Sequence, residues 1–263
     1  MAYETIIWEQ TGAVGRLTLN RPESLNAWTQ QLGLELRTII ERDAADESVR
    51  AVLITGSGRG FSSGADLKAG FDPAEDGMPD VYKELHGVYH PAILGVRRLE
   101  KPVIAAVNGP AAGAGLSLAC ACDLRIAADD ASFVPAFINI GLVPDMGGTY
   151  HVRRLLGTAR AFEFMATGRR LTAAEALEWG LVNEVVEADQ LLPRAAERAA
   201  ELAALPTRGV ALTKRLFDHA EHATFEEQLE LEAQLQAAAT QTDDFREGVA
   251  AFLEKREPRF EGR

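Results

Sequence analysis

The chain has 263 residues, 47% of them hydrophobic and 25% charged, which fits one domain with a core of ordinary size, or such a domain with a helical appendage. A net charge of −12 argues against nucleic acid as a partner, and no apolar run approaches the ~20 residues of a membrane span. The opening Met1-Ala2-Tyr3-Glu4 lacks the basic-then-apolar pattern of a signal peptide, so a cytoplasmic protein is expected.

Residues 5–8 and 14–19, parted by Thr11-Gly12, read as two short strands. Leu32, Leu36, Ile39 and Ile40 recur on one face of a helix. Residues 51–55 predict a buried strand and 56–64 a Gly/Ser-rich loop; 70–80, acidic and proline-containing, predict a surface loop. A helix is predicted from residue 79 or 80 to about 99, and a strand over 102–107. A break follows at Asn108-Gly109-Pro110, then an Ala/Gly helix to about 122 and short strands at 124–127 and 132–134. Strand, strand and helix thus recur about three times, which is not strict βαβ alternation. Cys120 and Cys122, one residue apart with no Cys/His cluster beside them, read as small buried residues of a reduced protein.

Past Gly148 the chain turns helical, with a capping box at Thr172-Ala173-Ala174-Glu175. A last strand lies at 182–186, and Ala/Leu/Glu-rich helices run from 188 with breaks near Pro206 and Asp243. The fold class is α/β, with a core over 1–200 and a helical region over 201–263 that packs on its own core or on a neighbouring subunit. Two basic clusters, Arg97-Arg98 with Lys101 and Lys255-Arg256 with Arg259, are places for an anionic ligand or simply solvated surface.

Two glycine-rich stretches lead from strands toward helices: residues 58–67 and Asn108-Gly109-Pro110-Ala111-Ala112-Gly113-Ala114-Gly115. Glycine lets backbone approach a ligand closely, and amides at a helix N-terminus favour negative charge. One amide from each stretch could hold a developing oxyanion. Three other readings compete. Gly60-Phe61-Ser62-Ser63-Gly64 matches G-x-S-x-G, with Asp145 and His151 following in the order of an α/β-hydrolase, but the strand does not run straight into the first glycine. Gly113-Ala114-Gly115 begins a dinucleotide fingerprint, but Leu118 holds its third glycine position. Both stretches also serve as plain tight turns.

Several segments together resemble the enoyl-CoA hydratase/isomerase (crotonase) superfamily. They are Arg21-Pro22 with Asn26-Ala27, the loop Phe61-Ser62-Ser63-Gly64-Ala65-Asp66-Leu67, residues 102–123 and 133–149, and Leu171-Thr172-Ala173-x-x-Ala176-x-x-x-Gly180-Leu181-Val182. The resemblance implies a spiral of ββα units, a C-terminal helical trimerisation region, homotrimers or hexamers, and an acyl-CoA thioester as ligand. It implies an oxyanion hole from the amides of Ser63 and Ala114. CoA contacts would fall near Leu25, Ala27, Ala65, Asp66 and Leu67, with Phe252 and Lys255 at the adenosine end. No metal or redox cofactor is implied; coenzyme A enters with the substrate.

Two departures narrow the expected chemistry. The paired glutamates of the family's hydratases match Ser117 and Phe137 here, and hydration needs both an acid and a base. A carboxylate stands instead at Asp145, in Pro144-Asp145-Met146-Gly147-Gly148-Thr149, a setting similar to the epoxyphenylacetyl-CoA isomerase branch. The segment Phe245-Arg246-Glu247-Gly248-Val249-x-x-Phe252-Leu253-x-Lys255 also resembles that branch. The resemblance therefore implies an acyl-CoA isomerase with Asp145 as proton shuttle, its pKa raised by an apolar pocket with Phe137 and Met146. A plain N-cap role for Asp145 is the alternative. Other readings are a hydratase with an atypical site and a non-catalytic CoA-thioester binder. A dehalogenase-like enzyme would use Asp145 and His90, although the tryptophan of that branch is replaced by Phe137. His86 and His90 also stand at a spacing that suits a metal.

Overall fold

The computed structural model describes residues 3–70, 73 and 77–263. A six-stranded sheet in the order β1-β2-β3-β4-β6-β9 forms its spine. β1 (Ile6–Thr11) and β2 (Val14–Leu19) pair antiparallel; β3 (Ala51–Gly56), β4 (Val103–Val107), β6 (Leu124–Ala128) and β9 (Glu184–Val186) extend the sheet in parallel. β2 alternates buried and half-buried residues, while β3 and β4 are buried throughout, as parallel strands covered on both faces must be. A second sheet joins β5 (Pro110–Ala112), β7 (Ser132–Val134) and β8 (Leu171–Thr172). The expected break at Asn108-Gly109-Pro110 is thus narrower than the sequence implies, because Pro110 already begins a strand.

The helices wrap this spine. α1 (Gln30–Thr38) is capped by Thr29, whose hydroxyl accepts from the Leu32 amide, and it buries Leu32 and Leu36; a π-helical turn, Ile39–Asp43, buries Ile39 and Ile40. The long helix expected from residue 80 is α2 (Val81–Glu84), a π-helical turn Leu85–Tyr89, and α3 (His90–Arg98), with Asp80 as N-cap. Of the expected loop over 70–80, residues 71–72 and 74–76 lie outside the described residues, and the others form no helix. α4 (Ala114–Ala121) is buried at every position, which is why it is built of Ala, Gly, Ser, Leu and Cys; Cys120 and Cys122 are free and buried. α5 (Gly148–Leu156), α6 (Thr158–Thr167) and α7 (Ala173–Trp179) follow, α7 opening on the complete Thr172–Glu175 capping box.

α8 (Leu191–Ala203) lies across β2, β3, β4 and β6. Beyond it come α9 (Thr207–Ala220), α10 (Phe225–Ala239) and α11 (Asp243–Glu254). The turn between α9 and α10 carries no Pro or Gly and was not expected. Arg50 ties this region to the core by donating to Thr207 Oγ1, Phe260 O and Leu205 O at 2.8, 2.7 and 2.6 Å. Asp123 does so from the other side, 2.8 Å from Arg97 and 2.9 Å from Lys214. The two basic clusters are therefore largely committed within the chain: Arg97 to Asp123 and Asp218, the Lys101 ammonium to the carbonyls of Ala44 and Asp46, and Arg256 to Glu247 and Glu254. No described helix is long and apolar enough to cross a membrane.

Candidate active site

Two loops that hug the first two parallel strands build one wall of the site. Asn26 is fully buried at φ 57°, a left-handed conformation that asparagine tolerates better than most residues. Its Oδ1 accepts from the Arg21 amide at 2.9 Å, and its Nδ2 donates to the carbonyls of Ser57 and Gly60 at 2.9 and 2.8 Å. Arg21 in turn reaches Ala27 O at 2.6 Å and Asp66 Oδ2 at 2.8 Å. Asn26→Ala strands these buried partners, and a loss of about 3 kcal/mol is expected. Urea denaturation measures it; a loss below ~1 kcal/mol would show that water replaces the lost bonds.

This knitting decides which amides of the second loop remain free. Ser63 N–H donates to Leu25 O at 2.9 Å, so the expected oxyanion role of the Ser63 amide is not met. Trp28 N–H donates to Gly64 O, and Asp66 N–H to Trp28 O. In such a parallel bridge, at Trp28 and Ala65, the amide of Ala65 faces away from its neighbour and has no acceptor among the described residues. The same holds for Ala114, the first residue of α4, whose N-cap is Gly113 at φ 49°. The two loops touch at Gly64, where a Cβ would sit 3.0 Å from Ala112 O and 3.6 Å from the Ala114 nitrogen. Glycine is required there, and Ala65 and Ala114 come to line the same cavity.

Asp145 comes from the turn before α5. Its carbonyl accepts from Ser117 Oγ at 3.0 Å and from the Gly148 amide at 2.8 Å. Ser117 thus pins the turn that carries Asp145, while Met146 (φ 50°) and Gly147 (φ 78°) complete that turn in left-handed conformations. The N-cap of α5 is Gly147, and no side chain caps it; the capping role for Asp145 is excluded. Asp145 Oδ1 is instead buried without a hydrogen-bond partner, and burial raises the pKa of this carboxyl from 3.8 to about 6.

Ala65, Ala114, Phe137 and Asp145 line one cavity of about 140 Å³. Ser63, Leu67, Leu142 and two residues not singled out by the sequence, Glu84 and Tyr89, also line it. Nothing in the local pattern marks Glu84, which there is one polar residue on a helix. Other expected residues fall elsewhere. Ser62, the serine of the hydrolase reading, is fully buried and donates its hydroxyl to Asn26 O at 2.9 Å. His151 is held down to about 4, chiefly by burial and then by Arg97. His90 is not a lining residue of the cavity, its ring lies 5.2 Å from that of His86, and no cluster of three or more metal-ligating side chains occurs among the described residues. Leu25 and Ala27 offer carbonyls that are already accepting from Ser63 and Arg21. Arg21 holds the Asp66 carboxyl below the usual range. Phe252 and Lys255 lie at the end of α11, Phe252 83% exposed, and neither lines the cavity.

A family model described as enoyl-CoA hydratase/isomerase matches residues 9–263. The chain belongs to that family. It is 42% identical over 261 residues to 1,2-epoxyphenylacetyl-CoA isomerase of Escherichia coli K12, covering 99% of each chain. It is 42% identical over 263 residues to a probable enoyl-CoA hydratase of Rhodobacter capsulatus, covering 100% of each. Among solved structures, an enoyl-CoA hydratase from Bacillus anthracis superposes with a TM-score of 0.92 at 35% identity, over 99% of this chain and 100% of that one. The crotonase fold expected from the sequence is thus the fold observed, and the cavity around Asp145 sits in an enoyl-CoA hydratase/isomerase framework.

Proposed function

We propose that this protein is an acyl-CoA isomerase acting through a thioester enolate, on Δ3-enoyl or ring-epoxide arylacetyl groups. The observation that carries the reading is an unpaired buried carboxyl oxygen of Asp145 in one cavity with two residues whose amides are unpaired, Ala65 and Ala114. For double-bond migration the ionised Asp145 takes a proton from the α-carbon. The C–H electrons pass into the conjugated system and onto the thioester oxygen, where both amides stabilise the charge. Asp145 then returns the same proton to the γ-carbon as the electrons flow back. One carboxylate suffices, nothing is oxidised or reduced, and no redox cofactor or metal is called for. Relatives named probable enoyl-CoA hydratase favour hydration as the second reading; Ser117 and Phe137, at the positions of that chemistry's glutamates, argue against it.

The test is conjugated-enoyl absorbance with 3-hexenoyl-CoA. Rising absorbance supports the reading; silence with this substrate and with ring-epoxide phenylacetyl-CoA overturns it. A pH dependence follows from the raised carboxyl. Proton abstraction needs ionised Asp145, so kcat/KM should fall about tenfold per unit below roughly pH 6 and level off above it. A profile still flat at about pH 4.5 would place the base on an ordinary exposed carboxylate.

The subunit contact belongs on α11. Phe245, Val249, Phe252 and Leu253 form an i, i+4, i+7, i+8 stripe that is 46, 43, 83 and 73% exposed, an apolar face with no cover in the isolated chain. A homotrimer or hexamer would bury it and bring Phe252 and Lys255 toward the coenzyme of a neighbouring site.

A further inference from the structure

We propose that Glu84 and Trp28 form a recognition point for a hydroxyl group on the acyl part of the substrate, in a recess that adjoins the Asp145 cavity. This rests on the acyl-CoA reading above. Among the described residues, four buried side-chain polar atoms lack a hydrogen-bond partner: Trp28 Nε1, Glu84 Oε2, Asp145 Oδ1 and Arg154 Nε. Arg154 Nε nevertheless lies 2.6 Å from a Glu221 carboxylate oxygen, and Asp145 already has a role. One buried donor and one buried acceptor remain, on residues 1% and 5% exposed.

These two residues share a place. Both line a second cavity of about 280 Å³. That cavity adjoins the one holding Asp145, since Ala65, Glu84 and Tyr89 line both. The backbone explains the arrangement. Five residues apart on a regular α-helix, Glu84 and Tyr89 would point ~140° away from each other. The π-helical turn Leu85–Tyr89 inserts the residue that brings them round to one wall. Tyr89 then meets the Trp28 ring edge-on, with centroids 5.5 Å apart. Among the described residues the other carboxylate on the second cavity, Asp66, is committed to Arg21.

An unpaired buried indole N–H and an unpaired buried carboxyl oxygen each carry a desolvation cost that a bound group can relieve. That group must accept one hydrogen bond and donate another. A hydroxyl does both; an ammonium cannot accept, and a carboxylate cannot donate and would meet Glu84. Of these three, the neutral alcohol or phenol is the group that fits the pair.

Calorimetric binding of thioesters that cannot isomerise tests this directly. The set is phenylacetyl-CoA against its ortho-, meta- and para-hydroxy forms, and hexanoyl-CoA against 6-hydroxyhexanoyl-CoA. At least one hydroxylated member should bind about tenfold more tightly than its parent. That preference should shrink to about unity in Trp28→Phe, which keeps a ring and loses the N–H, and in Glu84→Met. Either folded variant decides the point, and melting curves show which are folded. If no hydroxylated thioester beats its parent, or if the preference survives in a folded variant, the proposal fails and the pair holds only water. Because these ligands do not react, the result is separate from the isomerase reading: failure to conjugate 3-hexenoyl-CoA leaves it standing, and conjugation without a hydroxyl preference removes it alone.

Discussion

Replacing Asp145 with asparagine is expected to lower kcat for double-bond migration by about 10²–10⁴-fold, the range for removing a positioned proton shuttle, with a much smaller change in KM. The amide side chain keeps the size of the carboxyl and cannot take up the α-proton. Steady-state conjugation of 3-hexenoyl-CoA measures the effect, and a loss under about tenfold would move the base elsewhere. The same substitution should stabilise the protein. Burial raises the Asp145 carboxyl from 3.8 to about 6, so the folded chain holds that proton more tightly than the unfolded chain does. Below about pH 4 the group is neutral in both states and carries no penalty. As pH rises through about 6 the folded state must bear a poorly solvated charge, costing about 1–2 kcal/mol once its partial exposure is allowed for. The Asn variant escapes this cost, so its melting temperature should exceed that of the wild type at neutral pH and converge with it below about pH 4. A lower melting temperature at neutral pH would show that Asp145 contributes to the fold.

Ala114→Pro is expected to lower kcat by about 10²–10³-fold, the usual result of deleting one oxyanion donor. The substitution isolates the amide because Ala114 is the first residue of α4. Proline is accepted at that position, where its ring sets a helical φ and the missing N–H leaves no intrahelical bond broken. Ala114→Gly, which keeps the N–H, should retain most of the activity. Circular dichroism confirms that α4 survives. Full activity in a folded Ala114→Pro enzyme would remove Ala114 from the oxyanion hole. Ser63→Pro offers no such test, because the Ser63 amide holds the loop to Leu25 and its loss would disturb the whole wall.

Much of this protein was legible in its sequence, because the signals are local. The capping box at Thr172 and Glu175 needs only four consecutive residues. The alternation in 14–19 and the unbroken apolar run in 51–55 report one strand's burial, and Leu32, Leu36, Ile39 and Ile40 report one helix face. Asp145 stood out because it replaces a pattern that the whole segment otherwise keeps, and Phe137, which lines its cavity, is nearby in the chain while the expected Met146 packs into the core instead.

What only the tertiary structure decided depends on groups brought together from distant segments. Which amide is free in the Phe61-Ser62-Ser63-Gly64-Ala65 loop turns on the Leu25 carbonyl, which captures Ser63 and leaves Ala65 unpaired. The basic residues Arg97 and Lys101, open in sequence as an anion site or as solvated surface, are spent on Asp123, Asp218 and two backbone carbonyls in the fold. Glu84 is one more acidic residue until a π-helical turn rotates Tyr89 onto its side and the packing of Trp28 closes the wall. A sequence specifies hydrogen-bonding capacity residue by residue; whether that capacity is satisfied or left over for a substrate is settled by long-range packing, because burial and partner geometry exist only once the chain has closed on itself.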